Sequence, residues 1–123
     1  MFKKEGTSIL NEKSFKFALR IVKMVKEIGK VRSLQTLYDQ IIKSASSIHA
    51  NIRESEFAQS PADFASKLSI SLKEANETLG WLELLYGAEC LSQKGFESLA
   101  SDCKELIALL VASVKTIKRN NNL

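Results

Sequence analysis

Residues 46–56, Ser-Ser-Ile-His-Ala-Asn-Ile-Arg-Glu-Ser-Glu, bring His49, Asn51, Arg53 and Glu54 within six positions. Histidine beside a carboxylate is the usual equipment of general acid–base chemistry, provided a nucleophile or an orienting carboxylate lies within hydrogen-bond reach. Ile41, Ala45, Ile48 and Ile52 recur at helical spacing, so the cluster belongs to a helix. Five positions separate His49 from Glu54, which turns the two side chains about 140° apart on that helix. The chain carries no H-E-x-x-H, no G-x-S-x-G and no glycine-rich phosphate loop. His49 is therefore expected to be a satisfied histidine at a core or helix–helix boundary, and the chain is not expected to be an enzyme.

Glu74 and Glu77, spaced i,i+3, are the other candidate carboxylates. Di-iron bundles need Glu-x-x-His on two helices. A chain with one histidine cannot supply that, so no metal or other cofactor is expected. Glu74 could instead accept from Asn51 or pair with Arg53 on a neighbouring helix, which would fix helix register. A solvated polar face is the competing reading. Ser44, Ser46 and Ser47 are small enough to let helix two approach a neighbour closely.

The strongest binding signal is basic. Lys13, Lys16, Arg20, Lys23, Lys26 and Lys30 line one side of the first helix, with Glu27 among them, and Lys3, Lys4 and Arg32 extend the line. Residues 1–32 hold nine Lys/Arg and three Asp/Glu, although the whole chain is only +4. A basic stripe is the footprint of a phosphate backbone, so RNA or DNA is the expected ligand. Aromatics do not interleave with it, so base stacking is not expected. A merely solvated basic face is the alternative. Membrane-surface binding is disfavoured because that helix needs its apolar side for packing.

What must hold these residues is a set of long helices. The 123 residues include one proline and five glycines, with 45% hydrophobic and 26% charged side chains. That is one ordinary globular domain. No apolar run reaches the roughly 18 residues of a membrane span. The first residues lack the apolar stretch of a secretory signal, and Cys90 and Cys103 lack metal or redox spacing. A cytoplasmic protein with reduced thiols is expected.

Period and caps divide the chain into helices at about 12–30, 34–57, 61–86 and 93–119. Asn11 and Ser33 are candidate caps for the first two. Ser60 followed by Pro61 and Asp63 is a clearer start for the third, and Gly87 is expected to take the left-handed conformation at its end. Short connections make successive helices antiparallel. The expected fold is all-α, an up-down-up-down four-helix bundle.

Helix four shows one core stripe, from Phe96 to Ile117. Helix three shows Phe64, Leu68, Leu72, Ala75, Leu79, Leu82 and Tyr86, with a second apolar patch at Ile70, Trp81 and Leu84. Helix one is apolar over half its circumference, wider than a monomer's surface helix requires. Uncovered apolar faces usually mark contacts. A homo-oligomer using Trp81's face and part of helix one is therefore expected; Trp81 packed on its own chain is the alternative.

Helices two and three also carry a resemblance. Ser47, Ile48, His49, Ala50, Asn51, Ile52 and Glu54 follow a family pattern. It continues through Asp63-Phe64, Lys67 to Ile70, Lys73 to Thr78, and Trp81-Leu82. This stretch resembles the 23S rRNA intervening-sequence proteins, a family sometimes labelled ribosomal. His49 stands where that family usually has proline or glycine, and Gly80 where an aromatic is common. The resemblance implies an antiparallel four-helix bundle, a homopentamer, and no known enzyme activity. The family's name reflects genes lying within insertions in ribosomal RNA genes, which does not make its members ribosome components. The related accessory proteins of diversity-generating retroelements work with reverse transcriptase and nucleic acid, which supports the basic-stripe reading by analogy. The expected function is thus an oligomeric scaffold binding RNA through helix one. The alternative is a protein–protein interaction scaffold without a nucleic-acid role.

Overall fold

The computed structural model describes residues 7–123, and Lys3 and Lys4 lie outside them. Four helices follow one another: α1 (Thr7–Ile28), α2 (Gln35–Ser55), α3 (Pro61–Gly87) and α4 (Gln93–Asn120). A 3-10 turn, Arg32–Leu34, leads into α2. Each helix packs against its two neighbours around a square, and the α1–α4 seam is the sparsest. The cross-links run antiparallel at every seam. Ser14 meets His49, Ser71 meets Ile48, Cys103 meets Ala75 and Arg20 meets Asp102. The expected up-down-up-down bundle is what forms. No helix among the described residues is long and apolar enough to cross a membrane.

The core is filled from one stripe per helix. Phe17, Ile21, Tyr38, Ile41, Ile48, Ile52, Leu68, Leu82, Leu85, Leu106 and Leu110 are nearly or wholly sealed from solvent. Tyr38 also turns its hydroxyl to the Ile28 carbonyl at 3.3 Å, a second donor to an acceptor at the α1 C-terminus that the Lys30 amide reaches at 2.8 Å.

The helix starts differ in part from expectation. Helix α1 begins at Thr7 and not near residue 12, because Leu10 joins the buried stripe. Asn11 is consequently inside the helix, and its amide donates to Glu56 Oε1 at 2.6 Å instead of capping. Ser33 lies in the 3-10 turn and makes no cap; Leu34 occupies that position without a side-chain bond. Ser60 does cap α3, accepting from the Asp63 amide at 3.0 Å, while Asp63 accepts from the Gln59 amide. Ser92 caps α4 the same way, accepting from Gly95.

The helix ends differ too. Helix α2 stops at Ser55, short of Phe57. Gly87 is the last residue of α3, but the left-handed residue is Glu89, with φ 65°. Gly29 is required where α1 stops, because a Cβ there would collide with the Val25 carbonyl oxygen.

The stripe on α3 is rotated relative to the one drawn from apolar residues alone. Leu72 and Leu79 are only partly buried and Tyr86 is exposed, stacking on Phe96 at 4.5 Å. Ser71, Thr78 and Leu85 face inward instead. The hydroxyls are tolerated because each has a partner. Ser71 Oγ donates to the Ile48 carbonyl at 2.7 Å, and Thr78 Oγ1 lies 2.8 Å from both Ser44 Oγ and the Glu74 carbonyl. Ser44 is thus the small residue at which α2 and α3 come close.

Gly80 lies on the exposed side of α3, where an added methyl group would meet open space. Gly80→Ala should therefore stabilise the fold by about 0.4–1 kcal/mol, through helix propensity and a less flexible unfolded chain. Urea unfolding measures this, and a lower midpoint would contradict the open geometry.

Candidate functional site

His49 leans from α2 onto α1. Its Nδ1 lies 3.0 Å from Ser14 Oγ, and its ring meets Phe15 edge-on at 5.5 Å. A serine and a histidine at this distance have the look of a nucleophile and its base. Ser14, however, is completely buried in the α1 stripe, so its oxygen has no route to a substrate. Its hydroxyl also lies 3.1 Å from the Asn11 carbonyl. Burial holds the imidazole below its usual pKa; Arg53 adds to that and Glu56 opposes it. The arrangement is a polar clasp between α1 and α2, joined one turn earlier on α1 by Asn11, which bonds to Glu56 at the end of α2.

The other members of the motif face elsewhere. Asn51 donates to the Ser47 carbonyl of its own helix at 2.9 Å. Glu54 lies 3.9 Å from Lys67 of α3. Asn51 and Arg53 make no hydrogen bond or ion pair with Glu74 among the described residues, so the link expected between them does not form. The α2–α3 register rests on the Ser44, Ser71 and Thr78 hydroxyls instead. Glu74 has its pKa raised, first by burial and then by Glu77, with Lys73 and Lys43 opposing. Glu77 Oε1 accepts from the Trp81 indole at 3.4 Å. Among the described residues no group of three potential ligands is placed to hold a metal ion.

The basic stripe divides into two halves. Toward the start of α1, acids already answer the cations. Lys13 pairs with Glu105 and Arg20 with Asp102, each at 2.6 Å, and Lys16 pairs with Glu12 at 2.7 Å. Arg20 also donates to Ser98 Oγ at 2.9 Å. Lys23 and Lys26 toward the end of α1, and Lys30 in the turn beyond it because the helix stops at Ile28 and not near residue 30, are exposed and make no ion pair among the described residues. Reading helix one alone could not reveal Ser98, Asp102 and Glu105, which arrive from the far end of the chain.

Two apolar faces remain on the surface. On α1, Phe15, Leu19 and Val22 are 53%, 41% and 44% exposed. Their i, i+4, i+7 spacing makes one stripe. On α3, Ile70 and Leu84 are 39% and 52% exposed, and Trp81 between them is only partly covered by the core. The patch expected at Ile70, Trp81 and Leu84 is therefore present on the surface.

The model of the 23S rRNA-intervening sequence protein family matches residues 7–112. Among solved structures, a protein of unknown function from the S23 ribosomal protein family of Bacteroides thetaiotaomicron is similar, with 43% identity and a TM-score of 0.80. The alignment covers 89% of this chain and 97% of that one. No curated protein matches the sequence.

Proposed function

The chain belongs to the 23S rRNA-intervening sequence protein family, and from that premise we propose that it is a non-enzymatic scaffold that works by associating with itself. The observation that carries this reading is the pair of uncovered apolar stripes on α1 and α3. Exposed large apolar side chains gathered on one helix face mark contact sites. The engagement of His49 with a buried serine and an aromatic ring supports a structural role for the motif over a catalytic one. Light scattering on the purified chain tests the reading. A mass several times that of the monomer is expected at micromolar concentration, and a monomer alone would end it.

A second reading is favoured by Lys23, Lys26 and Lys30, three exposed cations on successive turns that make no ion pair among the described residues. They suit the backbone of an RNA, with Arg32 beyond them. Fluorescence anisotropy of a labelled structured RNA across a salt series measures this. Binding should weaken steeply with salt, and Lys23→Glu, Lys26→Glu and Lys30→Glu together should reduce the slope of log affinity by about 3. An unchanged slope would place binding elsewhere.

A further inference from the structure

We infer that Asp102 and Glu105 of α4 restrain the basic face of α1: they occupy Arg20 and Lys13, which a phosphate backbone reaches only by displacing them. This rests on the RNA reading given above and adds the residues that limit binding.

The restraint lies at the α1–α4 seam, the sparsest in the bundle. Lys13 pairs there with Glu105 and Arg20 with Asp102, each at 2.6 Å, and Arg20 donates again to Ser98 Oγ. The hydrogen bond to Glu105 is the first cause of a raised pKa at Lys13, so the lysine stays charged where the acid holds it. All four side chains of the two pairs stand in water, 40–56% exposed. Exposed ion pairs hold weakly, because water and salt screen them. A phosphate can therefore take either cation. It then sits beside a carboxylate that has lost its partner, and the two negative charges repel. The acids weaken binding without preventing it.

The seam also has room for a backbone. A cavity of about 190 Å³ is lined by Lys13 and Lys16 from α1 and by Asp102 and Glu105 from α4, over Phe17 and Leu106. A second, of about 400 Å³, takes in Arg20, Lys23 and Glu27 further along α1. Lys13, Arg20 and Lys23 thus follow one another along one groove. Of these three only Lys23 makes no ion pair among the described residues. Neutralising the two acids returns the other two cations to it.

Asp102→Asn with Glu105→Gln tests the restraint, since the amides keep the size of the acids and lose their charge. The measurement is anisotropy of a labelled structured RNA across a salt series, with the unaltered chain alongside and circular dichroism melts confirming the fold. The slope of log affinity against log salt should steepen by about 2, one for each cation returned. A fourfold drop in salt should then strengthen the variant about 16-fold more than the unaltered chain. Glu54→Gln with Glu83→Gln makes the same change of net charge on α2 and α3, and should leave the slope as it was. Equal steepening there would assign the effect to overall charge and overturn the restraint. Adding Lys13→Gln and Arg20→Gln to the acid-free chain should return the slope to its starting value; a slope that stays steep overturns the assignment. If neither the unaltered nor the acid-free chain binds at about 50 mM salt, the RNA reading fails and the restraint with it. If the unaltered chain binds and the acid-free chain binds no more steeply, the RNA reading stands and the restraint is overturned.

Discussion

Leu82→Ala should lower the unfolding free energy of this bundle by about 2–5 kcal/mol, while Leu84→Ala two residues later should change it by less than about 0.5 kcal/mol. Both are leucines in the last two turns of α3. Leu82 is fully buried, and its removal leaves a cavity among side chains that cannot all close in. Leu84 is half exposed, so little transfer energy is lost when it is shortened. The first loss is a large part of the about 5–15 kcal/mol that holds a domain together. Denaturant unfolding of the two variants, under conditions that keep the chain monomeric, makes the comparison. Equal losses would mean that Leu84 is covered within its own chain. Oligomer mass read on the same samples should reverse the order: Leu84→Ala weakens assembly without weakening the fold.

The second large effect concerns Cys103 at high pH. Its thiol is fully buried and lies 3.2 Å from the Ala75 carbonyl oxygen. Burial pushes its pKa up to about 12; Asp102 adds to this and the Leu79 backbone opposes it. In the unfolded chain a thiol ionises near pH 8.5–9, by its ordinary value of about 8.5. Between these pKa values the unfolded state binds fewer protons than the folded one, so stability must fall as pH rises. At about 1.4 kcal/mol per pH unit, the loss from about pH 9 to about pH 11 should be roughly 2–3 kcal/mol. Below about pH 8 this contribution is intact. Cys103→Ala should start slightly less stable at neutral pH and lose less on the alkaline side. Urea unfolding at a series of pH values measures both curves, and parallel curves would show that another group is responsible. Iodoacetamide gives a companion reading: the folded protein should label at the partly exposed Cys90 and not at Cys103.

The architecture was legible because helices announce themselves locally. Ser60, Pro61 and Asp63 state a helix start within four residues, and the predicted cap bond is present. Of the apolar stripe expected on helix four, Leu99, Ala100, Cys103, Leu106, Leu110, Val114 and Ile117 are buried, while Phe96, Ile107 and Val111 at its edges are only partly so. Weak ends were misplaced for an equally physical reason. Asn11 has the chemistry of a cap, but burial of Leu10 extends α1 past it. On α3 the apolar residues alone pointed to a stripe containing Tyr86. The interior instead admits Ser71 and Thr78, whose hydroxyls are satisfied by α2.

The sequence by itself determined four helices, their order, most of the core and the outward apolar patch on α3. Each of those follows from residues within a few turns of one another. Which charges remain available was decided only by tertiary structure. Lys13 and Arg20 look as free as Lys23 and Lys26 until α4 brings Glu105 and Asp102 alongside them, more than eighty residues away in the chain. The surroundings of His49 were decided the same way, by Ser14, 35 residues earlier on α1. Periodicity reports which way a side chain leaves its own helix. What it meets there depends on the faces of other helices, and that information exists only once the bundle has closed.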